Sequence, residues 1–236
     1  MKKSKVYIIV LALIITSCSR FDEDITPKSL NTFQKETIAY FKEIALGFEF
    51  SSSTEITRKW NTDMLIYVGG EKEDYLMSEL NSIIAEINQL STDGFSVSIT
   101  ADTLKSNFYI FLGSGNEYGN QFPSSQDLIN NNWGLFNINW NDQNELYKGR
   151  MYVDIYRAEE TAQKHLLREE LTQSLGLGKD SNLYAESIFR QSWTLTNHYT
   201  PIDKELIRLL YHPKITSGLN SEEVTERLTN ILLDEN

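Results

Sequence analysis

Residues 165–180 read HLLREELTQSLGLGKD, and this segment is the most informative part of the sequence about the fold. Leucines recur here at three- and four-residue spacing, which predicts a helix from about residue 159 to Leu175. Gly176 suits the turn directly after the helix, because glycine adopts a positive φ without steric cost. His165, Glu169 and Gln173 follow one another at intervals of four residues, so we expect them to share one face of the helix.

The spacing of this helix is similar to that of the metzincin zinc proteases. Their pattern reads HExxHxxGxxH, in which the histidines hold zinc and the glutamate is the general base. With Gly176 at the glycine, Glu169 and Gln173 fall on the first two ligand positions and Lys179 falls on the third. Glu170 falls on the general-base position. The base and the glycine are therefore kept, whereas all three histidine ligands are replaced.

The chain resembles the bacterial domain of unknown function 2927 family, whose members look like zincins with an altered helix. The family pattern is Glu-Glu-x-x-Gln-x-Leu-Gly-Leu, followed by an Asp-Ser turn. Matching segments are residues 169–177, 180–181, 56–60, 66–70, 186–189 and 206–213. This resemblance implies an α+β fold, in which a zincin-like mixed sheet packs against an active-site-type helix and further helices lie at the C-terminus. It implies no established reaction.

The pattern outward from this helix indicates one α+β domain over residues 31–236. A hydrophobic content of 40% is sufficient for a core and argues against disorder. Strands are predicted at residues 56–60, 64–68, 95–99, 107–112, 135–140 and 150–155. Residues 113–132 are predicted to be a long loop that could hold one short helix. The other predicted helices begin near Asn31, Tyr75, Pro201 and Ser221.

The charge balance excludes one class of partner. The chain has 22 Lys and Arg against 33 Asp and Glu, a net charge of −11. No basic block interrupts this acidity, so we expect no nucleic-acid partner. The sequence also lacks a phosphate-binding glycine loop with its lysine and a nucleophile elbow around serine, which argues against nucleotide hydrolysis and serine-hydrolase chemistry.

The first residues are typical of a lipoprotein signal peptide, predicted over residues 1–17. Lysines at positions 2, 3 and 5 precede an apolar run from Val6 to Ile15, shorter than the roughly 20 residues that span a bilayer. Ile15 to Cys18 resembles the bacterial lipobox, so we expect lipidated Cys18 to bind the membrane.

The segment after Cys18 is predicted to be an acidic tether over residues 18–30. These features predict a bacterial cell-envelope location, as an outer-membrane lipoprotein. Asp22 to Asp24 is an acidic cluster similar to the surface-export signal of some Gram-negative lipoproteins, and a purely solvated tether is the alternative.

The leading functional hypothesis is a non-catalytic module that lacks the usual zinc ligands. It would bind a peptide or envelope protein in the cleft that corresponds to the active-site cleft of zincins. We expect no cofactor in that case. The ligand would add as a strand along an edge strand, at residues 135–140 or 150–155. The alternative is a metallopeptidase that uses zinc or another divalent metal. Its general base would be Glu170 and its ligands Glu169, Gln173 and His165. A purely structural lipoprotein is a third possibility.

Two further expectations concern side chains around this helix. Glu170 lies among leucines and should be partly buried, and Gln173 and Tyr184 are its candidate partners. Two of the four tryptophans could border the long loop and form a platform for a peptide or glycan.

Overall fold

The computed structural model describes residues 28–49 and 54–236. The predicted signal peptide, Cys18 and most of the acidic tether lie outside the described residues, so these predictions stay predictions. Within the described ranges, no helix has the length and apolar character needed to cross a bilayer.

A six-stranded mixed sheet forms the centre of the domain. Its strands are β1 (Lys59–Trp60), β2 (Met64–Gly70), β3 (Val97–Ile99), β4 (Phe108–Gly113), β5 (Gly134–Trp140) and β6 (Glu145–Asp154). The order across the sheet is β3, β2, β4, β6 and β5, with the short β1 beside the start of β6. All pairs are parallel except β5 with β6, which form an antiparallel hairpin.

Seven α-helices accompany the sheet in the described residues. They are α1 (Thr32–Ala45), α2 (Asp74–Leu90), α3 (Gly115–Gln121), α4 (Gln126–Ile129), α5 (Glu160–Gln173), α6 (Pro201–Leu210) and α7 (Ser221–Asp234). The first turns of α1, α6 and α7 are closed by capping boxes, at Asn31, Thr200 and Asn220 respectively. These residues satisfy backbone N–H groups that a helix start leaves free.

The sheet carries a hydrophobic core on each face. The larger core joins alternate strand residues such as Ile110 and Met151 to α1, α2, α5, α6 and α7. The smaller core lies under α3 and α4 and contains Phe111, Tyr118 and Tyr152. Because side chains of a strand alternate between faces, Phe111 and Tyr152 point away from the core that their neighbours fill. The predicted α+β arrangement, a mixed sheet packed against the helix of residues 160–173 with further helices at the C-terminus, is confirmed.

The end of α5 is fixed by two aromatic donors. Trp60 donates from its indole nitrogen to the carbonyl of Ser174 at 2.9 Å, and the Tyr211 hydroxyl donates to the carbonyl of Leu175 at 2.9 Å. Gly176 follows with φ of +116°, and a Cβ there would lie 1.9 Å from the Arg58 carbonyl oxygen. The predicted turn at Gly176 is therefore correct, although the helix ends two residues earlier than expected.

Three sequence-based assignments need correction. The strand expected at 56–60 contracts to Lys59–Trp60, because Thr57 instead forms backbone hydrogen bonds with the segment around Leu219. The loop expected at 113–132 holds α3, α4 and a short 3₁₀ turn. Residues 150–155 do not form an edge, because β6 is flanked by β4 and β5, whereas the other proposed edge, 135–140, pairs with β6 alone within the described chain.

Candidate functional site

Helix α5 is buried on most of its surface although it carries many polar residues. Arg168 points towards α2, where its guanidinium contacts Glu79 at 2.7 Å and Glu86 at 2.8 Å. A buried guanidinium requires such partners, since leaving it unpaired costs several kcal/mol, about 3–5 in typical cases. This pairing fixes the rotation of α5, and the opposite side of the helix faces a cleft.

The cleft has a volume of about 780 Å³ and three walls. One wall is the α5 face, the second is β5, and the third is the segment from Gly178 to Trp193. The predicted shared face is confirmed, since α5 contributes His165, Glu169 and Gln173 to the cleft. A pocket of this size is within the range used by small ligands and short peptide segments.

Glu170 lies where α5 approaches β5 most closely. It is 8% exposed and lines the cleft, so its predicted burial is confirmed. It packs against Gly134: a Cβ at that position would lie 2.7 Å from Oε1 of Glu170. The backbone N–H of Phe136 lowers the pKa of the Glu170 carboxyl, against the larger effect of burial. The expected partners Gln173 and Tyr184 are wrong: Gln173 is engaged by Asp180, and Tyr184 packs edge-on against Tyr40 at 4.7 Å.

Asp180 enters the cleft beside Gln173. The amide of Gln173 donates to Oδ1 of Asp180 at 2.5 Å. Lys179, which falls on the third ligand position of the zinc pattern, instead contacts Glu55 at 3.1 Å and does not line the cleft. The turn after α5 therefore presents Asp180 to the site.

Glu49 is brought to the same cleft by a short backbone bridge. Phe48 pairs with Gly178, and the N–H of Glu49 donates to the Gly178 carbonyl at 3.1 Å. The glycine is required here, because a Cβ at Gly178 would lie 1.9 Å from the Phe48 ring. No sequence signal indicated this residue, since it lies more than a hundred positions from α5.

The carboxylates in the cleft raise each other's pKa. Burial raises the pKa of Glu170 well above its usual value, and the charges of Glu169, Asp180 and Glu49 add to this effect. Burial, followed by the charges of Glu169 and Glu49, raises the pKa of Asp180 to about 7. The pKa of Glu49 is also raised, by burial and then by Glu169.

His165 is the basic side chain of α5 that lies beside the carboxylates of the cleft. Its Nδ1 donates to the carbonyl of Thr196 at 2.6 Å, and its Nε2 lies 3.3 Å from Oε2 of Glu169. Burial alone would lower the pKa of His165, but the hydrogen bond and charge of Glu169 raise it above its ordinary value. The neighbouring Lys164 pairs with Glu160 at 2.5 Å and adds no charge to the cleft.

Aromatic side chains border the cleft at both ends. Trp133 and Trp193 meet edge-to-face at 5.6 Å, and both are partly exposed. At the other end, Trp140 stacks on Phe48 at 5.6 Å. Two tryptophans thus border the segment after α4, as the platform hypothesis requires, while Trp60 is fully buried in the core.

The donors on α5 do not fit a zinc site. The described residues contain no group of three or more His, Cys, Asp or Glu side chains placed to hold a metal. Gln173 offers an amide, a poor zinc ligand, and already donates to Asp180. His165 faces Glu169 as an ion pair, and Lys179 points elsewhere.

Fold and site together define a class: an α+β domain in which helix α5 and the edge strand β5 border a carboxylate-rich cleft. The chain matches the model of the family described as "Protein of unknown function (DUF2927)" over residues 34–230. The protein therefore belongs to this family.

Comparisons with individual proteins add little to this assignment. No curated protein matches the sequence. Among solved structures, the chain is similar to that of myroilysin, with a TM-score of 0.42 and 10% sequence identity. The similarity covers 65% of this chain and 95% of myroilysin.

Proposed function

We propose that the protein is a non-catalytic peptide-binding module, in which an extended peptide or protein segment adds as a strand to the outer edge of β5. The observation that carries this proposal is the open edge itself. Within the described chain, β5 pairs only with β6, and its outer side forms a wall of the cleft.

The hydrogen-bond pattern identifies the backbone groups that a ligand would use. The N–H of Asp154 donates to the Trp133 carbonyl, whereas the N–H of Gly149 donates to Asn107 on the β4 side. Antiparallel pairs alternate, so Ile138, opposite Gly149, directs its N–H and C=O away from β6.

The Glu170 carboxyl lies beside one edge position. The backbone N–H of Phe136, which lowers the pKa of Glu170, points to the outer edge by the same alternation. A ligand strand would therefore pair with the Ile138 end of β5. Its side chains would face α5 on one side, in the part of the cleft lined by Trp140 and Phe48.

The binding test uses the full chain in detergent micelles and a phage-displayed library of random dodecapeptides. The strongest binder is synthesised, and amide hydrogen exchange is measured at single residues by mass spectrometry. The Ile138 amide should exchange rapidly in the free protein and slowly in the complex. The amides of Asn137 and Asn139 face β6 and serve as internal controls. Failure to select any clone, or a binder that leaves Ile138 unprotected, would contradict the proposal.

The location of the module is a second part of the proposal. The basic and apolar leader followed by Cys18 supports lipid attachment at that cysteine and a place in the bacterial outer membrane. Cys18→Ser should move the protein from the detergent-soluble membrane fraction to the soluble fraction of cells. Unchanged fractionation would contradict lipid anchoring.

A further inference from the structure

The cleft is lined by more acidic than basic side chains. Its lining includes the carboxylates Glu49, Glu169, Glu170 and Asp180, against Arg190 and His165. His165 faces Glu169, and Arg190 directs one guanidinium nitrogen to the carbonyl of Asn182 at 2.5 Å. Three carboxylates therefore lack a cationic partner among the described residues: Glu49, Glu170 and Asp180.

Glu170 supplies a second and independent observation. It is more than nine-tenths buried, yet it lines the cleft. In the described part of the chain no side chain forms a hydrogen bond with its carboxyl, and the backbone N–H of Phe136 is the one donor that lowers its pKa. A buried carboxylate needs more donors than one backbone amide, because its oxygens together present about four acceptor positions.

The size and walls of the cleft favour a side chain over a bare ion. A single cation would fill little of a volume of about 780 Å³. Phe48, Phe136 and Trp140 provide apolar surface next to the carboxylates. Lysine and arginine combine an apolar stem with a charged head, and their stems pack well on aromatic rings.

We propose that the cleft selects peptides with a lysine or arginine side chain, whose charged head lies among Glu49, Glu170 and Asp180 while β5 holds the backbone. This inference rests on the peptide-binding function proposed above and specifies its substrate class. The acidity of the whole chain, with a net charge of −11, would also favour the approach of a basic partner.

The test compares selection from one random dodecapeptide library by the wild-type chain and by a Glu170→Gln, Asp180→Asn variant, after treatment with EDTA. Both changes keep a hydrogen-bond acceptor at the same place. We expect lysine and arginine to be enriched about tenfold at one position with wild type, the scale of one charge-assisted hydrogen bond. The variant should still bind peptides but lose the enrichment. The control variant Glu226→Gln removes a charge from the exposed side of α7, outside the cleft. Selection by this variant should still enrich lysine and arginine.

The outcomes separate this inference from the proposed function. If no clone binds, both fail. If clones bind without basic enrichment, or if the variant enriches basic residues equally, peptide binding stands and the inference is wrong. A third outcome is one equivalent of divalent metal, measured by mass spectrometry in untreated protein, together with loss of peptide binding after EDTA. That outcome would assign the carboxylates to a metal and overturn the inference.

Proton release gives an independent readout. The titratable groups that face Asp180 from the surrounding elements are Glu49, His165, Glu169 and Glu170. A cation placed beside Asp180 lowers its pKa from about 7, so binding of a selected basic peptide at pH 7 should release protons. Calorimetry in two buffers of different ionisation enthalpy measures this release. The norleucine version of the same peptide should release none, and equal release by both would contradict the inference.

Discussion

The charge state of Asp180 changes close to neutral pH. Its pKa rises to about 7 because burial and neighbouring carboxylates disfavour the charged form. In an unfolded chain the same group titrates near 3.8. The folded protein therefore binds an additional proton between these two values, and its stability must fall as pH rises through that interval.

We expect Asp180→Asn to remove this dependence. Asparagine can still accept the hydrogen bond from Gln173, but it carries no charge. A shift of about three pKa units corresponds to about 4 kcal/mol, so the variant should exceed wild type in free energy of unfolding by about 2–4 kcal/mol at pH 8. The difference should approach zero at pH 4. Urea unfolding at both pH values measures it.

Glu226→Gln is the matched control, because it removes one exposed carboxylate outside the cleft. Its unfolding free energy should follow that of wild type at both pH values. Equal stability of wild type and Asp180→Asn at pH 8 would show that Asp180 is not held in a destabilised charged state.

At the level of elements, the approach of α5 to β5 forms the site. The strand has no side chain at Gly134, and Glu170 occupies the vacated space. The sequence pattern predicted both elements and the buried glutamate. It could not predict their contact, because the distance between α5 and β5 depends on which residue of β5 lies opposite the helix.

Gly134→Ala should push Glu170 away from β5. The added Cβ would lie 2.7 Å from Oε1 of Glu170 and 3.0 Å from Cδ2 of Leu166. Overpacking of this kind costs about 1–3 kcal/mol, and peptide binding should weaken with it. Urea unfolding and peptide titration measure the two effects.

A double-mutant cycle identifies the cause. In a Glu170→Ala background, the stability cost of Gly134→Ala should fall by about half or more, because the carboxylate no longer opposes the methyl group. An undiminished cost would mean that Leu166 or the strand backbone, and not Glu170, limits the approach.

At the scale of the whole molecule, the fold was more predictable than the site. Hydrophobic periodicity located α2, α5 and most strands, because these signals are local. Glu49 joins the cleft only through the bridge between Phe48 and Gly178, a contact between distant segments. The order of strands likewise depends on long-range pairing, which explains why residues 150–155 were wrongly predicted as an edge.

Net charge provides a prediction at this scale. The chain carries −11 overall, so mutual repulsion of its carboxylates opposes the compact state. Raising NaCl from 20 to 300 mM shortens the Debye length from about 20 Å to about 6 Å and should raise the melting temperature by about 1–4 °C. Scanning calorimetry measures the shift. At the pH of zero net charge the shift should be smaller, and a lower melting temperature in salt at pH 7.5 would contradict the expectation.

The open edge of β5 also bears on self-association. An unpaired strand edge is where copies of a chain can join sheet to sheet. In an antiparallel β5–β5 pairing, two such clefts would come together, and their carboxylates would repel across the twofold axis. Glu170 lies next to the outward-facing N–H of Phe136, so an acidic group borders the edge directly. The acidic groups beside β5 thus disfavour pairing between identical chains while leaving the same edge open to a basic segment of another protein.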